Sequence, residues 1–390
     1  MAAEEARGGL WSALSRRLGL TPQTKKAVEQ TLAKKRRWRL VQVESSMACN
    51  LRCVMCPWKA FREEVCNQGL MSQEIWEGVR PHLPEIASVD FTGGGEPLMQ
   101  PRLVDWVSEA HAAGCETGIL SNGLLLRKEL AARLIEAGLD WLCVSMDGAD
   151  KELYEQIRPG SNFERVCENL GNIAELRSKS IPKTMINFVM MRLNFHQVED
   201  MVKLAARLGV DQINFRQCEV IRGEHGKGFG LFWSEETEQI RHYKKELSKA
   251  VSLAGKLGVE AITFSFTPRE RPVCEQDPRD ELFIRYDGQV APCINLAMGG
   301  PTMLIDREVV LPTVHYGRIP ERDLLELWET ETCRYYREIF ESRARVYEQT
   351  FMAGMMGDSR KTADKLHEEA VKRMPQAAEG CRICHYLYDV

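Results

Sequence analysis

The chain has 390 residues, a net charge of −4 and a sequence pI of about 6.2, so no excess of basic charge points to nucleic-acid binding. It has no apolar run of the roughly 18 residues that indicate a transmembrane helix, and its acidic start lacks the apolar core of a signal peptide. The 13 cysteines are clustered and odd in number, unlike the disulfide framework of a short secreted domain. We therefore expect a globular, cytoplasmic protein without a nucleic-acid partner.

Residues 1–38 are predicted to form a separate extension. Apolar residues recur at helical spacing, and a basic run follows at residues 34–39; the apolar residues are Leu10, Trp11, Leu14 and Leu18. A basic amphipathic helix of this kind could contact a membrane surface or dock a partner. Because the basic run is short, we favour the alternative, an N-terminal helix that packs on the main domain and exposes a solvated basic face.

Three cysteines follow the first predicted strand, which covers residues 40–44. Cys49, Cys53 and Cys56 have the spacing C-x₃-C-x₂-C. Cysteines this close on one loop can surround a 4Fe–4S cluster with their thiolates. Three ligands rather than four would leave one iron open to a small molecule. The alternative is a zinc site, but no fourth Cys or His lies at a zinc-finger distance.

Strands and helices alternate after this loop. The predicted strands are residues 40–44, 88–92, 117–121, 141–145, 185–190, 212–216 and 260–265, and the predicted helices are residues 73–83, 102–113, 127–137, 150–179, 196–208 and 235–257, with a glycine-rich loop at 222–233. This order indicates a parallel sheet with right-handed crossovers. We therefore predict an α/β fold, an incomplete parallel (βα)6 barrel over residues 39–267, with its sites at the C-terminal strand ends.

A Gly-Gly-Glu motif ends the second predicted strand. Gly94 and Gly95 allow the backbone to approach a ligand closely, and the carboxylate of Glu96 can pair with an ammonium group. Taken alone, the motif would also suit an ordinary turn between a strand and a helix.

Polar residues also end or follow the later strands. They are Ser121, Asn122, Ser145, Asp147, Arg158 and Arg216. Small polar side chains and guanidinium groups can contact a nucleoside or a carboxylate. The alternatives are turn or helix-cap roles for the small residues and surface ion pairs for the two arginines.

The pattern changes after residue 268, and we predict a small C-terminal α+β domain over residues 268–390. Short apolar runs flank Asp287-Gly288, which is a hairpin signal, and residues 321–344 and 362–374 are predicted helices.

Four cysteines of this region form a second group, which we call the C-terminal cysteines. They are Cys274, Cys293, Cys381 and Cys384. Four thiolates could hold a 4Fe–4S cluster with no open iron. A structural zinc site is the alternative, whereas a redox-active C-x-x-C pair would leave Cys274 and Cys293 unexplained.

The cysteine loop followed by Gly-Gly-Glu resembles the signature of the radical SAM superfamily. The resemblance implies that the open iron binds S-adenosylmethionine and that reductive cleavage releases a 5′-deoxyadenosyl radical. Gly94, Gly95 and Glu96 then match the positions that hold the methionyl amino group. The strand-end residues Ser121, Asn122, Ser145 and Asp147 match positions near the ribose or carboxylate, and Arg158 and Arg216 are candidate carboxylate or substrate partners. Met55 stands where many members carry an aromatic residue.

The C-terminal cysteines resemble those of the SPASM/Twitch auxiliary domain found behind some radical SAM barrels. Residues 317–328 are similar to the stretch that such domains carry between their cysteines. A full SPASM domain has more cysteines and two auxiliary clusters, so the match is closer to the one-cluster Twitch type. The resemblance implies one auxiliary 4Fe–4S cluster.

This resemblance implies an oxidising radical enzyme, reduced by a donor such as flavodoxin or ferredoxin. Oxidation of an alcohol in a small sugar or cyclitol is the first hypothesis, with the auxiliary cluster as electron acceptor. Side-chain modification of a peptide or protein, by thioether or carbon–carbon bond formation, is the alternative. A third hypothesis is a non-catalytic iron–sulfur or zinc scaffold. The sequence identifies neither the substrate nor the general base, which could be a carboxylate or a lysine at the barrel mouth.

Overall fold

The computed structural model describes residues 36–64, 68–178, 181–222, 228–231, 235–305, 307–357 and 362–389. The helix predicted in the N-terminal extension and most of the loop predicted at 222–233 lie outside these residues. Within the described ranges, no helix is long and apolar enough to cross a membrane.

A ten-stranded sheet organises the fold. Seven neighbouring parallel strands are β1 (Trp38–Val43), β2 (Ile86–Asp90), β3 (Glu116–Ser121), β4 (Trp141–Ser145), β5 (Lys183–Met190), β6 (Gln212–Gln217) and β7 (Glu260–Thr263). β8 (Glu281–Ile284) continues the sheet parallel to β1, and β9 (Gln289–Ala291) and β12 (Gly317–Arg318) follow antiparallel. The sheet is open, with β12 and β7 outermost, so the predicted incomplete α/β barrel is confirmed.

The C-terminal strands join the barrel sheet in a way the sequence did not predict. β8 pairs with β1 from Leu40–Glu281 to Val43–Ile284, which extends the barrel sheet on its β1 side. The predicted hairpin about Asp287-Gly288 forms between β8 and β9. A separate two-stranded sheet consists of β10 (Gly300–Leu304) and β11 (Arg307–Leu311).

Helices cover the strands in the alternating order that the sequence predicts. They are α1 (Lys59–Glu64), α2 (Gln73–Val79), α3 (Leu103–Ala112), α4 (Lys128–Glu136), α5 (Lys151–Ile157), α6 (Phe163–Leu176), α7 (Val198–Arg207), α8 (Glu238–Leu257), α9 (Ile294–Met298), α10 (Leu324–Trp328), α11 (Glu331–Gly357), α12 (Ala363–Arg373) and α13 (Glu379–Arg382). Strand β5 shows how the sheet packs against the core, because every second side chain of the strand is buried. These residues are Thr184, Ile186, Phe188 and Met190.

Two predicted helices were wrong in extent. The helix predicted over 150–179 is divided into α5 and α6, because Pro159 cannot continue a helix and Gly160 takes a φ of 92°. The helix predicted over 321–344 is also two helices, α10 and α11. Helix α11 continues to Gly357 because residues 345–356 contain no proline to end it.

Candidate active site

The three thiols of the loop after β1 converge on one cavity of about 250 Å³. Burial raises the pKa of the Cys49 thiol, and it raises the pKa of Cys53 to about 11. Two guanidinium groups oppose this effect. Arg62 Nη1 lies 3.2 Å from Cys56 Sγ, and Arg158 Nη1 lies 3.7 Å from Cys53 Sγ. These cations favour the thiolate form that binds metal.

The arrangement fits an iron–sulfur cluster. Among the described ranges, no group of three or more His, Cys, Asp or Glu side chains is arranged to hold a single metal ion. A 4Fe–4S cluster instead takes its thiolates on different iron atoms, so they surround a space rather than meet at one point. Cys49, Cys53 and Cys56 surround such a space, with two cations beside them to balance the negative charge.

The Gly-Gly-Glu motif lies directly against the cysteine loop. A Cβ on Gly95 would be 2.4 Å from the backbone oxygen of Ala48 and equally close to the carbonyl carbon of Met47. The next backbone amide, that of Glu96, donates to the same Ala48 oxygen at 2.8 Å. Gly94 N donates to Glu44 Oε1 at 2.7 Å. A glycine at position 95 is therefore required for the two segments to touch.

Glu96 gathers two of the strand-end residues around its carboxylate. Its oxygens accept hydrogen bonds from Ser121 Oγ at 2.7 Å, Asn122 N at 2.8 Å and Leu98 N at 3.0 Å. The side chain is buried, and this burial raises its pKa despite the three donors. All of these predicted residues line the cavity, where the Glu96 carboxylate is placed to receive an ammonium group.

Ser145 and Arg158 line the same cavity, whereas Asp147 does not. Asp147 is fully buried and accepts hydrogen bonds from Arg158 Nε at 2.7 Å and Val189 N at 2.8 Å. It therefore holds Arg158 beside Cys53 and acts on the site through that arginine.

Arg216 lies behind the cavity wall. Its guanidinium pairs with Glu219 at 3.1 Å and with Glu275 at 2.8 Å, and it stacks over the ring of Phe264 at 4.1 Å. Glu219, which the sequence did not single out, does line the cavity. Burial raises the pKa of Glu219 to about 7, and the charge of Arg216 counteracts that shift in part.

The C-terminal cysteines come together although they are far apart in the chain. Burial raises the pKa of Cys274 well above its usual value, and the charges of Cys381, Cys293 and Cys384 raise it further. Backbone hydrogen bonds connect their segments, since Cys384 N donates to Cys381 O at 3.2 Å and Glu275 N donates to Tyr386 O at 3.4 Å. Asn295 Nδ2 lies 3.5 Å from Cys384 Sγ. Four neighbouring thiols fit a fully ligated 4Fe–4S cluster.

The cavity wall includes one residue of the segment that carries the C-terminal cysteines. Glu219 and Tyr386 line the cavity together with the cysteine loop, and Tyr386 follows Cys384 by two residues. The charge of Glu219 also acts on Cys384. A molecule bound in the cavity would therefore contact both the cysteine loop and the segment that follows Cys384.

The sequence analysis missed several residues of this site. Glu44 directly follows β1 and accepts a hydrogen bond from Gly94 N of the Gly-Gly-Glu motif. Its sequence position could have identified it, because a charged residue at the end of a buried strand often belongs to a site. Arg62, Trp58, Glu219 and Tyr386 carried no such signal, because only the folded chain brings them to the cavity.

Comparison with known families agrees with this geometry. The model of the radical SAM superfamily matches residues 43–205. A model described as an iron–sulfur cluster-binding domain, SPASM, matches residues 274–350. The first match contains the cysteine loop, and the second contains Cys274 and Cys293.

Individual relatives extend over more of the chain. The tungsten-containing aldehyde ferredoxin oxidoreductase cofactor-modifying protein of Pyrococcus furiosus is 24% identical over 77% of this chain and 83% of its own length. Other curated relatives, such as the probable GTP 3′,8-cyclase of Sulfurisphaera tokodaii (29% identical over 55% of this chain), are matched over 43% to 66% of their own length.

Two solved structures share the fold. Streptococcus suis SuiB bound to its precursor peptide SuiA covers 94% of this chain and 74% of its own, with a TM-score of 0.56 and 14% identity. The anSMEcpe structure with AdoMet and the Cp18Cys peptide covers 77% and 83%, with a TM-score of 0.57 and 18% identity. The cofactors of this chain are 4Fe–4S clusters and S-adenosylmethionine. The chain belongs to the radical SAM superfamily and carries a C-terminal auxiliary domain of the SPASM type.

Proposed function

We propose that this enzyme modifies a side chain of a peptide or protein by abstracting a hydrogen atom in the cavity that its cysteine loop lines. The observation that carries the proposal is that one cavity is lined by Cys49, Cys53 and Cys56 and also by Glu219 and Tyr386. The names of the structural relatives support the substrate class, because SuiB and anSMEcpe were both solved with peptides.

The bound cofactors supply the chemistry, which is a 5′-deoxyadenosyl radical and a one-electron acceptor. The chain supplies the positions of the reacting groups. Glu96, which accepts hydrogen bonds from Ser121 and Asn122, would hold the amino group of S-adenosylmethionine. Arg158, fixed by Asp147, lies on the same wall beside Cys53. These residues orient the nucleoside toward the remaining space of the cavity.

Glu219 is the group placed to take the proton that a substrate radical loses on oxidation. Of the described residues lining the cavity, Glu96 and Glu219 are the carboxylates and none is a lysine. Glu96 already accepts three hydrogen bonds and is assigned to the amino group of S-adenosylmethionine, whereas Glu219 has no such role and its charge acts on Cys384. Its pKa of about 7 suits a base that works near neutral pH.

A small-molecule oxidation is the second candidate. The four C-terminal cysteines account for one auxiliary cluster, as in the one-cluster Twitch type. The resemblance to that type is the reason for expecting the alcohol of a sugar or cyclitol as the substrate.

The two candidates are separated by what stimulates cleavage of S-adenosylmethionine. The anaerobically reconstituted enzyme, with dithionite, would be given a peptide fraction of a host-cell extract, the same fraction after protease digestion, and a fraction below about 500 Da. We expect 5′-deoxyadenosine formation to rise with the intact peptides and to lose that rise after digestion. Stimulation by the small-molecule fraction alone would contradict the peptide proposal and support the second candidate. The Cys49→Ala/Cys53→Ala/Cys56→Ala variant gives the background.

A further inference from the structure

Arg222 is a buried cation that pairs with no carboxylate among the described residues. The residue follows β6 and is 7% exposed. Its Nη1 donates to the backbone oxygens of Gly299 and Pro301. Its Nε and Nη2 have no hydrogen-bond partner among the described residues. A buried charge is costly unless something balances it, so the position of Arg222 calls for a negative partner.

The aromatic neighbours of Arg222 stabilise its charge only in part. The guanidinium carbon lies 5.2 Å from the ring centroid of Trp58 and 5.3 Å from that of Phe61. Burial nevertheless lowers the pKa of Arg222 to about 10, which shows that its charge remains poorly balanced. Two other arginines differ, since the half-buried Arg216 pairs with Glu219 and the buried Arg343 pairs with a glutamate at 2.7 Å.

Arg222 lies beside a segment that carries one of the C-terminal cysteines. Helix α9 directly follows Cys293, and Arg222 contacts the backbone at the end of that helix. The Gly299 oxygen that Arg222 contacts ends helix α9, and Asn295 of the same helix lies beside Cys384 Sγ. The cation is therefore built into the surroundings of the C-terminal cysteines.

We propose that Arg222 is a positioning residue that sets the reduction potential of the auxiliary cluster by acting as its counter-cation. The inference rests on the proposed function, in which that cluster accepts one electron from the substrate radical. Reduction adds one negative charge to the cluster, and a fixed positive charge nearby stabilises the reduced form. Arg222 thereby favours electron transfer away from the substrate.

The test is a redox titration of the auxiliary cluster in the full-length chain. The Cys49→Ala/Cys53→Ala/Cys56→Ala background leaves that cluster as the one that titrates, followed by electron paramagnetic resonance. Arg222→Met should make reduction at least tenfold less favourable, a fall of about 59 mV for a one-electron couple. Arg222→Lys keeps the charge and should stay near the parent potential. Arg177→Gln is the matched control and should leave the potential unchanged. Arg177 is also largely buried, but it pairs with Asp211 near the N-terminal ends of β5 and β6.

Each result decides the matter. An unchanged potential in Arg222→Met at full iron content would overturn the inference, as would an equal fall in Arg222→Lys. If Arg222→Met does not retain iron, a normal potential in Arg222→Lys supports the role of charge and a lowered one contradicts it. Absence of a cluster in the parent background would overturn both this inference and the electron acceptor of the proposed function. If Arg222→Met shifts the reduction potential but no peptide stimulates cleavage of S-adenosylmethionine, the role of Arg222 is supported. Only the proposal of a peptide substrate is then contradicted.

Discussion

The two cysteine groups are assembled in different ways. Cys49, Cys53 and Cys56 come from one short loop, whereas the C-terminal cysteines come from segments between residues 274 and 384. The first group has two cations at its sulfurs, one of them fixed by Asp147. The second has Arg222, which no described carboxylate balances. In the cysteine loop, the cations lie directly at the cysteine sulfurs. Beside the C-terminal cysteines, the charge of Arg222 is left for the auxiliary cluster to balance.

The largest expected effect is the loss of iron when two of the C-terminal cysteines are removed. Cys381→Ala/Cys384→Ala should lower the iron content of the reconstituted protein from about eight to about four atoms. Cleavage of S-adenosylmethionine should persist, because the cysteine loop and the Gly-Gly-Glu motif are untouched. Iron analysis and a 5′-deoxyadenosine assay measure both. Loss of cleavage together with iron would show that the two groups do not form separate centres.

Removing the charge pairing of the first group should destabilise the fold. Arg158→Met leaves the buried carboxylate of Asp147 unpaired, and we expect the free energy of unfolding to fall by about 3–5 kcal/mol. The double variant Asp147→Asn/Arg158→Met removes the orphaned charge and should recover part of that loss. Urea unfolding of the apo-proteins measures it. Equal destabilisation in the single and double variants would contradict the pairing.

The stability of the chain should depend on pH through Glu44. Burial raises the pKa of Glu44 from 4.5 to about 7, so the folded state holds a proton that the unfolded state has lost between those pH values. Stability contributed by this group is therefore present below pH 4.5 and falls as the pH rises to 7, by up to about 3 kcal/mol. Glu44→Gln should flatten this part of the pH profile of urea unfolding.

A control for that measurement is Glu164→Gln, since Glu164 is an exposed partner of Lys151. It should leave the profile between pH 4.5 and 7 as steep as in the parent chain. If Glu44→Gln is as steep as this control, Glu44 is not the group responsible.

The smallest effect concerns the contact between the motif and the cysteine loop. Gly95→Ala places a Cβ against backbone atoms and should cost about 1–3 kcal/mol and most of the affinity for S-adenosylmethionine. Gly94→Ala is the matched comparison, because its Cβ would meet side chains rather than backbone, Met47 Sδ at 2.9 Å and Trp58 Cγ at 3.1 Å. Calorimetric binding of S-adenosylmethionine should therefore suffer more in Gly95→Ala. The reverse order would contradict the described contact.

The sequence predicted what depends on local spacing. The cysteine loop, the Gly-Gly-Glu motif and the strand ends with Ser121 and Asn122 could all be found, because each lies in a few consecutive residues. Arg222 could not, since its backbone partners lie in a distant segment. Glu219 is three residues from its partner Arg216, but its place in the cavity wall depends on the folded chain. The continuation of the sheet from β1 to β8 was missed for the same reason. Boundaries at residues 38 and 268 stay predictions.

The central claim is that the cysteine loop holds the cluster that cleaves S-adenosylmethionine. The most direct test counts iron and 5′-deoxyadenosine in the anaerobically reconstituted chain and in its Cys49→Ala/Cys53→Ala/Cys56→Ala variant. We predict about eight irons and reductive cleavage in the parent, and about four irons without cleavage in the variant. Zinc in place of iron, or a reduced cluster that leaves S-adenosylmethionine intact, would contradict the claim and favour a scaffold protein.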